Sequence, residues 1–197
     1  MRLSLVASLL MLAGGLQLLQ GCAAVAVGGI AGTVVMSQDR RTVGTITEDA
    51  GIEMKSVSRI GQKLKEGVHI NANSYNRMLL LTGEVPDTAS REEAERIARS
   101  VENVRGVYNE LAVSGVSSYT VRSNDSVITT KVKSRILDSK SVNGIHVKVI
   151  TENSVVYLMG LVKKEEANDA TEIARTTSGV QKVVRVFEYI DTEPVTK

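Results

Sequence analysis

Hydrophobic and polar positions divide the 197-residue chain into a leader and two similar halves. Leu3 to Leu19 is an apolar run without charge, preceded by Arg2, which is the order of basic n-region and apolar h-region in a secretory signal peptide. Beyond it the periods change. Ile52, Val57, Ile60 and Leu64 recur at helical spacing, as do Ile128, Val132 and Ile136, and predict an amphipathic helix opening each half. A short alternating segment follows each, Val68-His69-Ile70 or Ile145-His146-Val147-Lys148-Val149, which reads as a strand with one buried face. A turn at Asn73 to Asn76 or at Glu152-Asn153 leads into a second strand, expected to end at Gly83 or Gly160. A second helix is predicted over Ala89 to Val101 or Lys164 to Thr176, and a last strand over Val104 to Val113 or Val180 to Ile190.

The halves are copies of one unit. Leu79-Leu80-Leu81-Thr82-Gly83-Glu84-Val85 recurs as Val156-Tyr157-Leu158-Met159-Gly160-Leu161-Val162, and Ala94-Glu95-Arg96-Ile97-Ala98-Arg99 as Ala170-Thr171-Glu172-Ile173-Ala174-Arg175. Val104 and Val107 are matched by Val180 and Val183. So many aligned matches imply two homologous domains. The expected fold class is α+β, with each copy αββαβ and its two helices packed on one face of a three-stranded mixed sheet. The crossover through the second helix makes the last strand parallel to a neighbour it pairs with. The expected organisation is signal peptide 1–21, lipidated Cys and flexible tether 22–44, domain one 45–113, linker 114–124, domain two 125–191 and tail 192–197.

The leader ends at Leu19-Gln20-Gly21-Cys22, which resembles the lipobox of bacterial lipoproteins, although Gln20 stands where a small residue is usual. The chain's only Cys falls where such cleavage requires it. The resemblance implies no cofactor beyond a covalent diacylglycerol and N-acyl lipid on Cys22. At ~0.8 kcal/mol per buried methylene, three acyl chains make a permanent anchor. The resemblance to enterobacterial-type lipoproteins implies that Ala23, in place of Asp, directs export to the outer membrane, lipid-anchored and facing the periplasm. Ala23 to Met36 is apolar and Gly-rich but too short to span a bilayer.

The hydrophobic strand closing on Gly, followed by Val-x-x-Val, resembles the BON domain (bacterial OsmY and nodulation). With the lipobox, the two repeats and the segments Arg41-Thr42-Val43-Gly44-Thr45 and Asn124-Asp125 before Ile128-Thr129-Thr130-Lys131-Val132, the chain is similar to dual-BON outer-membrane lipoproteins along nearly its whole length. That resemblance implies a protein that supports outer-membrane integrity, recognises anionic phospholipid through its second domain and gathers at division sites. It also implies links to envelope assembly and septal peptidoglycan remodelling.

Composition adds mainly exclusions. Removing Arg2 with the leader leaves 24 − 1 = 23 basic residues against 22 acids, a balance that gives no reason to propose nucleic acid. One Cys excludes an internal disulfide. There is no HExxH, no Gly-x-Ser-x-Gly elbow, no phosphate loop and no CxxC, so the chain is read as no enzyme. His69 and His146, the two histidines, sit at equivalent positions and are expected to be half-exposed strand side chains. A monomer is expected.

The first helices differ. In copy one the outward face collects Lys55, Ser58, Arg59, Gln62 and Glu66, all polar. In copy two it collects Val127, Thr130, Lys131, Lys133, Ser134 and Leu137, apolar groups flanking cations and hydroxyls, the mixture an anionic lipid surface accepts. These six are the candidate phospholipid-binding residues. The alternative is that Val127 and Leu137 pack under the linker or the other domain, and that the protein is an adaptor for envelope assembly or division-associated machinery.

Overall fold

A computed structural model describes residues 39–64 and 66–190. The leader, Cys22, most of the tether and the tail 192–197 lie outside the described residues.

Each domain begins with a capped helix. Helix α1 (Val43–Lys63) starts at Thr42, whose hydroxyl accepts from the Thr45 N–H, and buries Asp49, Ile52, Ser56 and Ile60. Val57 does not join them. It is 45% exposed, because the inward stripe runs through Ser56 instead. Strands β1 (His69–Tyr75) and β2 (Met78–Val85) form an antiparallel hairpin, and helix α2 (Thr88–Arg99) crosses back after the Asp87 N-cap. The third position of the sheet is shared by β3 (Gly106–Asn109) and β4 (Ala112–Val113), both parallel to β2. The expected single strand is thus split opposite Thr82 and Gly83, while Leu81 faces Asn109 and Glu84 faces Ala112 in an unchanged register.

The second domain repeats the plan. Helix α3 (Tyr119–Leu137) is followed by a 3₁₀ turn at Gly144–His146, then β5 (Val147–Glu152), β6 (Val155–Val162), α4 (Lys164–Arg175) and β7 (Lys182–Tyr189). Strands β5 and β6 are antiparallel and β6 and β7 parallel. The expected linker 114–124 is therefore short: the Ser118 side chain accepts from the Val121 N–H, and the helix runs from Tyr119 into the domain. Likewise α1 takes Val43 and Gly44 from the expected tether.

A buried carboxylate on each first helix holds the hairpin against it. Asp49 accepts from the backbone N–H groups of Asn76 and Arg77 at 2.9 and 2.7 Å, and Asp125 from those of Asn153 and Ser154 at 2.8 Å each. All four turn residues have positive φ, the two-residue hairpin geometry that suits strand twist. The turns therefore lie at Asn76-Arg77 and Asn153-Ser154, one or more residues later than the polar clusters predict.

Gly83 and Gly160 lie inside their strands, two residues before the ends, and do not terminate them. Their role is close approach. A Cβ at Gly83 would sit 2.0 Å from the His69 carbonyl oxygen, and one at Gly160 would sit 2.2 Å from that of His146.

Alternate residues of each sheet face its own helices: Leu79, Leu81 and Val85 in domain one, Val156, Leu158 and Val162 in domain two. The opposite faces form a third core, where Tyr75 and Leu80 meet Tyr157, Met159, Leu161 and Val186. The two sheets bury each other's helix-free sides, which is why β2 and β6 read as nearly continuous apolar runs.

Candidate functional site

All six candidate residues lie on the solvent side of α3, opposite the buried stripe of Ile128, Val132 and Ile136. Val127 is 49% and Leu137 67% exposed, so neither is covered by the linker or the other domain. The contrast with α1 is, however, not one of apolar content. Met54 is 71% exposed, so the first helix also shows apolar groups outward, and Glu66 lies beyond its end.

The difference is one of charge pairing. Lys55 and Arg59 on α1 both engage Glu102, Arg59 through two bonds of 2.8 and 2.9 Å. The Arg59 guanidinium holds the Glu102 carboxyl well below the usual carboxylate range, at about 2. Lys131 and Arg135 are the repeat equivalents of Lys55 and Arg59, and the residue equivalent to Glu102 is Ser178. With no acid there, Arg135 turns onto Thr177, the Ile173 carbonyl and Thr176 at 2.6 to 3.0 Å. Lys131 and Lys133 are exposed and have no ion-pair partner among the described residues. Thr130, Lys131, Ser134, Arg135 and Thr176 to Ser178 line one shallow depression of hydroxyls and cations. The helical period puts these six residues on the exposed side of α3 but gives no sign of the α4 end of this surface, because Ser178 acquires meaning only beside its counterpart Glu102.

A second polar cluster lies between the domains. His69 is a partly exposed residue of β1, its side chain 19% exposed, and it faces domain two. Its Nδ1 is 3.0 Å from Glu84 Oε2 and 3.9 Å from Glu152 Oε1, the latter contributed by the other domain. Asn153 donates to Glu84 Oε1 at 2.6 Å and Asn71 to Glu152 Oε2 at 2.9 Å. Burial raises the Glu84 pKa most, but bonds from Asn153, His69 and Ser117 outweigh it and hold this carboxyl below the usual range. Glu152 has fewer partners, and burial, reinforced by the charges of Glu84 and Asp125, pushes it up. His146, expected to be a half-exposed strand side chain, is instead buried in the 3₁₀ turn before β5, where domain one packs on it, and its carbonyl accepts from the Tyr75 hydroxyl of domain one at 3.4 Å.

The BON domain profile matches residues 48–115 and 124–191. The chain is 42% identical to the outer membrane lipoprotein DolP of Haemophilus influenzae over 194 residues, covering 97% of this chain and 100% of that protein. It is 36% identical to a 21 kDa hemolysin of Actinobacillus pleuropneumoniae over 77% of this chain and 79% of that one. With the osmotically-inducible protein Y of Escherichia coli it shares 30% over 72% of each. Among solved structures, CdsD of the Chlamydia trachomatis type III secretion system superposes over 71% of this chain and 93% of its own, at 12% identity and a TM-score of 0.30, too low to inform the fold. None of these names denotes an enzyme. Two matched domains and a relative aligned from end to end place the chain in the BON-domain family, as a tandem-domain outer-membrane lipoprotein similar to DolP.

Proposed function

We propose that this protein docks its second BON domain on anionic phospholipid while a lipid on Cys22 keeps it at the outer membrane, and that it supports membrane integrity at division sites without catalysing a reaction. The observation that carries this reading is the replacement of Glu102 by Ser178 at the repeat-equivalent position, which leaves Lys131 without a counter-charge. Each Lys at an anionic surface contributes about 1 kcal/mol, and Val127 and Leu137 add apolar contact where the headgroups meet the acyl chains. Ser134 supplies a hydroxyl donor to phosphate oxygens beside the cations, whereas the hydroxyls of Thr130 and Thr176 already donate to the Ser126 and Glu172 carbonyls.

The test uses the fragment 40–197, which is one compact unit and retains Arg40 and Arg41. Ser178→Glu restores in domain two the acid that neutralises domain one. Binding to phosphatidylglycerol vesicles should fall severalfold, with little change on neutral phosphatidylcholine. A folded Ser178→Glu fragment that binds phosphatidylglycerol like the parent removes this face as the lipid site. The adaptor reading then gains, with the exposed Met54 and Val57 of α1 as its surface.

A further inference from the structure

The two repeats meet in a pseudo-twofold arrangement, so each corner of the interface has a counterpart. Tyr75 and Glu152 are equivalent positions, as are His69 and His146, and Glu84 and Leu161. One corner thus combines His146 and Leu161 of domain two with Tyr75 of domain one. The other combines His69 and Glu84 of domain one with Glu152 of domain two. The first corner shows that the packing is achieved with an aromatic ring and an aliphatic chain, so the sheets do not need two buried acids to dock. Such acids are costly to desolvate and are weak stabilisers even when paired.

We propose that His69, Glu84 and Glu152 form a divalent-cation site, suited to Zn²⁺, that clasps the two BON domains. One ligand atom from each residue lies within 4.8 Å of the others. Tetrahedral zinc with bonds near 2.0–2.1 Å places its ligand atoms about 3.3 Å apart. The separations of 3.0 and 3.9 Å from His69 Nδ1 to the two carboxylate oxygens bracket that value, and with the three atoms spread over as much as 4.8 Å the carboxylates must draw together to close the site.

Glu152 is 6% exposed, and while Asn71 donates to its Oε2, its Oε1 is turned toward His69 Nδ1. Among the described residues, His69 is the one basic side chain within 4.0 Å of either acid. Arg122 lines the same cleft of about 320 Å³, but its guanidinium lies over the Tyr119 ring. The outer shell is already built, because the Asn153 and Asn71 amides hold the carboxylate oxygens that would not bind metal. Binding releases to solvent any proton on His69 Nδ1, and the cleft leaves the fourth position for water.

The experiment titrates ZnCl₂ into the full lipid-anchored chain in detergent after chelation, by calorimetry and thermal melting. One zinc per chain should bind, the melting temperature should rise, and X-ray absorption at the zinc edge should show imidazole and oxygen ligands without sulfur. Glu152→Gln, which keeps the Asn71 contact possible, and His69→Ala should each weaken binding about tenfold or more. The exposed control Glu102→Gln should not. Absence of stoichiometric binding in the parent overturns the proposal, as does zinc held by sulfur or unchanged affinity in either folded variant. Should both variants fail to fold, the absorption spectrum of the parent alone decides between these outcomes. Lipid binding is read separately, so failure here leaves the vesicle result untouched.

Discussion

Asn153, in the turn of the second hairpin, donates a 2.6 Å hydrogen bond to Glu84 in the sheet of the other domain. Its repeat equivalent Asn76 reaches the opposite way to Glu188 at 2.8 Å. Each hairpin tip is therefore tied to its own first helix through a buried Asp and to the other domain through its Asn. This couples the domains through polar as well as apolar contacts.

The domains should consequently unfold together. Leu80 and Met159 are fully buried between the sheets, and Leu80→Ala or Met159→Ala should each cost about 2–5 kcal/mol. Denaturant unfolding followed by backbone circular dichroism and by a probe in each domain should show one coincident transition in the parent. Separate transitions for the two domains in the parent would contradict the coupling.

The glycine positions yield a sharper case. Gly83→Ala places a Cβ 2.0 Å from the His69 carbonyl at a φ of +114°, and relief requires β1 and β2 to separate locally. Strain of this kind costs on the order of 1–3 kcal/mol, to which the lost pairing adds. Thermal melting should report a large drop, whereas Gly115→Ala, with nothing within 4 Å, should be nearly neutral.

Acid should loosen the segment that joins the membrane anchor to the domains. Arg40 bonds Glu166 at 2.6 and 2.9 Å and holds its carboxyl below the usual carboxylate range. A depressed folded pKa means that the stabilisation is present at neutral pH and disappears as pH falls through the folded value. The melting temperature of Arg40→Gln should lie below that of the parent at pH 7, and the gap should close as pH falls below about 4. A gap constant across that range would exclude the pair as its source.

On the lipid face, Val127→Glu places a negative charge among Lys131 and Lys133 and removes apolar contact. Binding of the fragment to phosphatidylglycerol vesicles should weaken strongly with the fold intact, since Ile128, Val132 and Ile136 are untouched. Leu137→Glu should act in the same direction, although Leu137 also covers Gly144. Salt should reduce parent binding only in part, because screening leaves the apolar contribution.

Cys22 is expected to be acylated, and Cys22→Ala should leave an unprocessed precursor. Mass spectrometry of the mature N-terminus checks this. An unmodified Cys22, or cleavage at another residue, would refute it.

The repeat, the αββαβ order, the parallel last strands and each domain's helix-facing core were legible from the chain, because helical and strand periods record burial between residues close in sequence. The runs Leu79 to Leu81 and Val155 to Val162 also carried a signal that both faces of those strands are buried, since alternation fails there. What covers the second face was not encoded locally. Only the docking of the sheets brought Glu152 to His69 and Glu84, and only superposing the repeats set Ser178 against Glu102. Both depend on side chains dozens of residues apart that packing, and no period, brings into register.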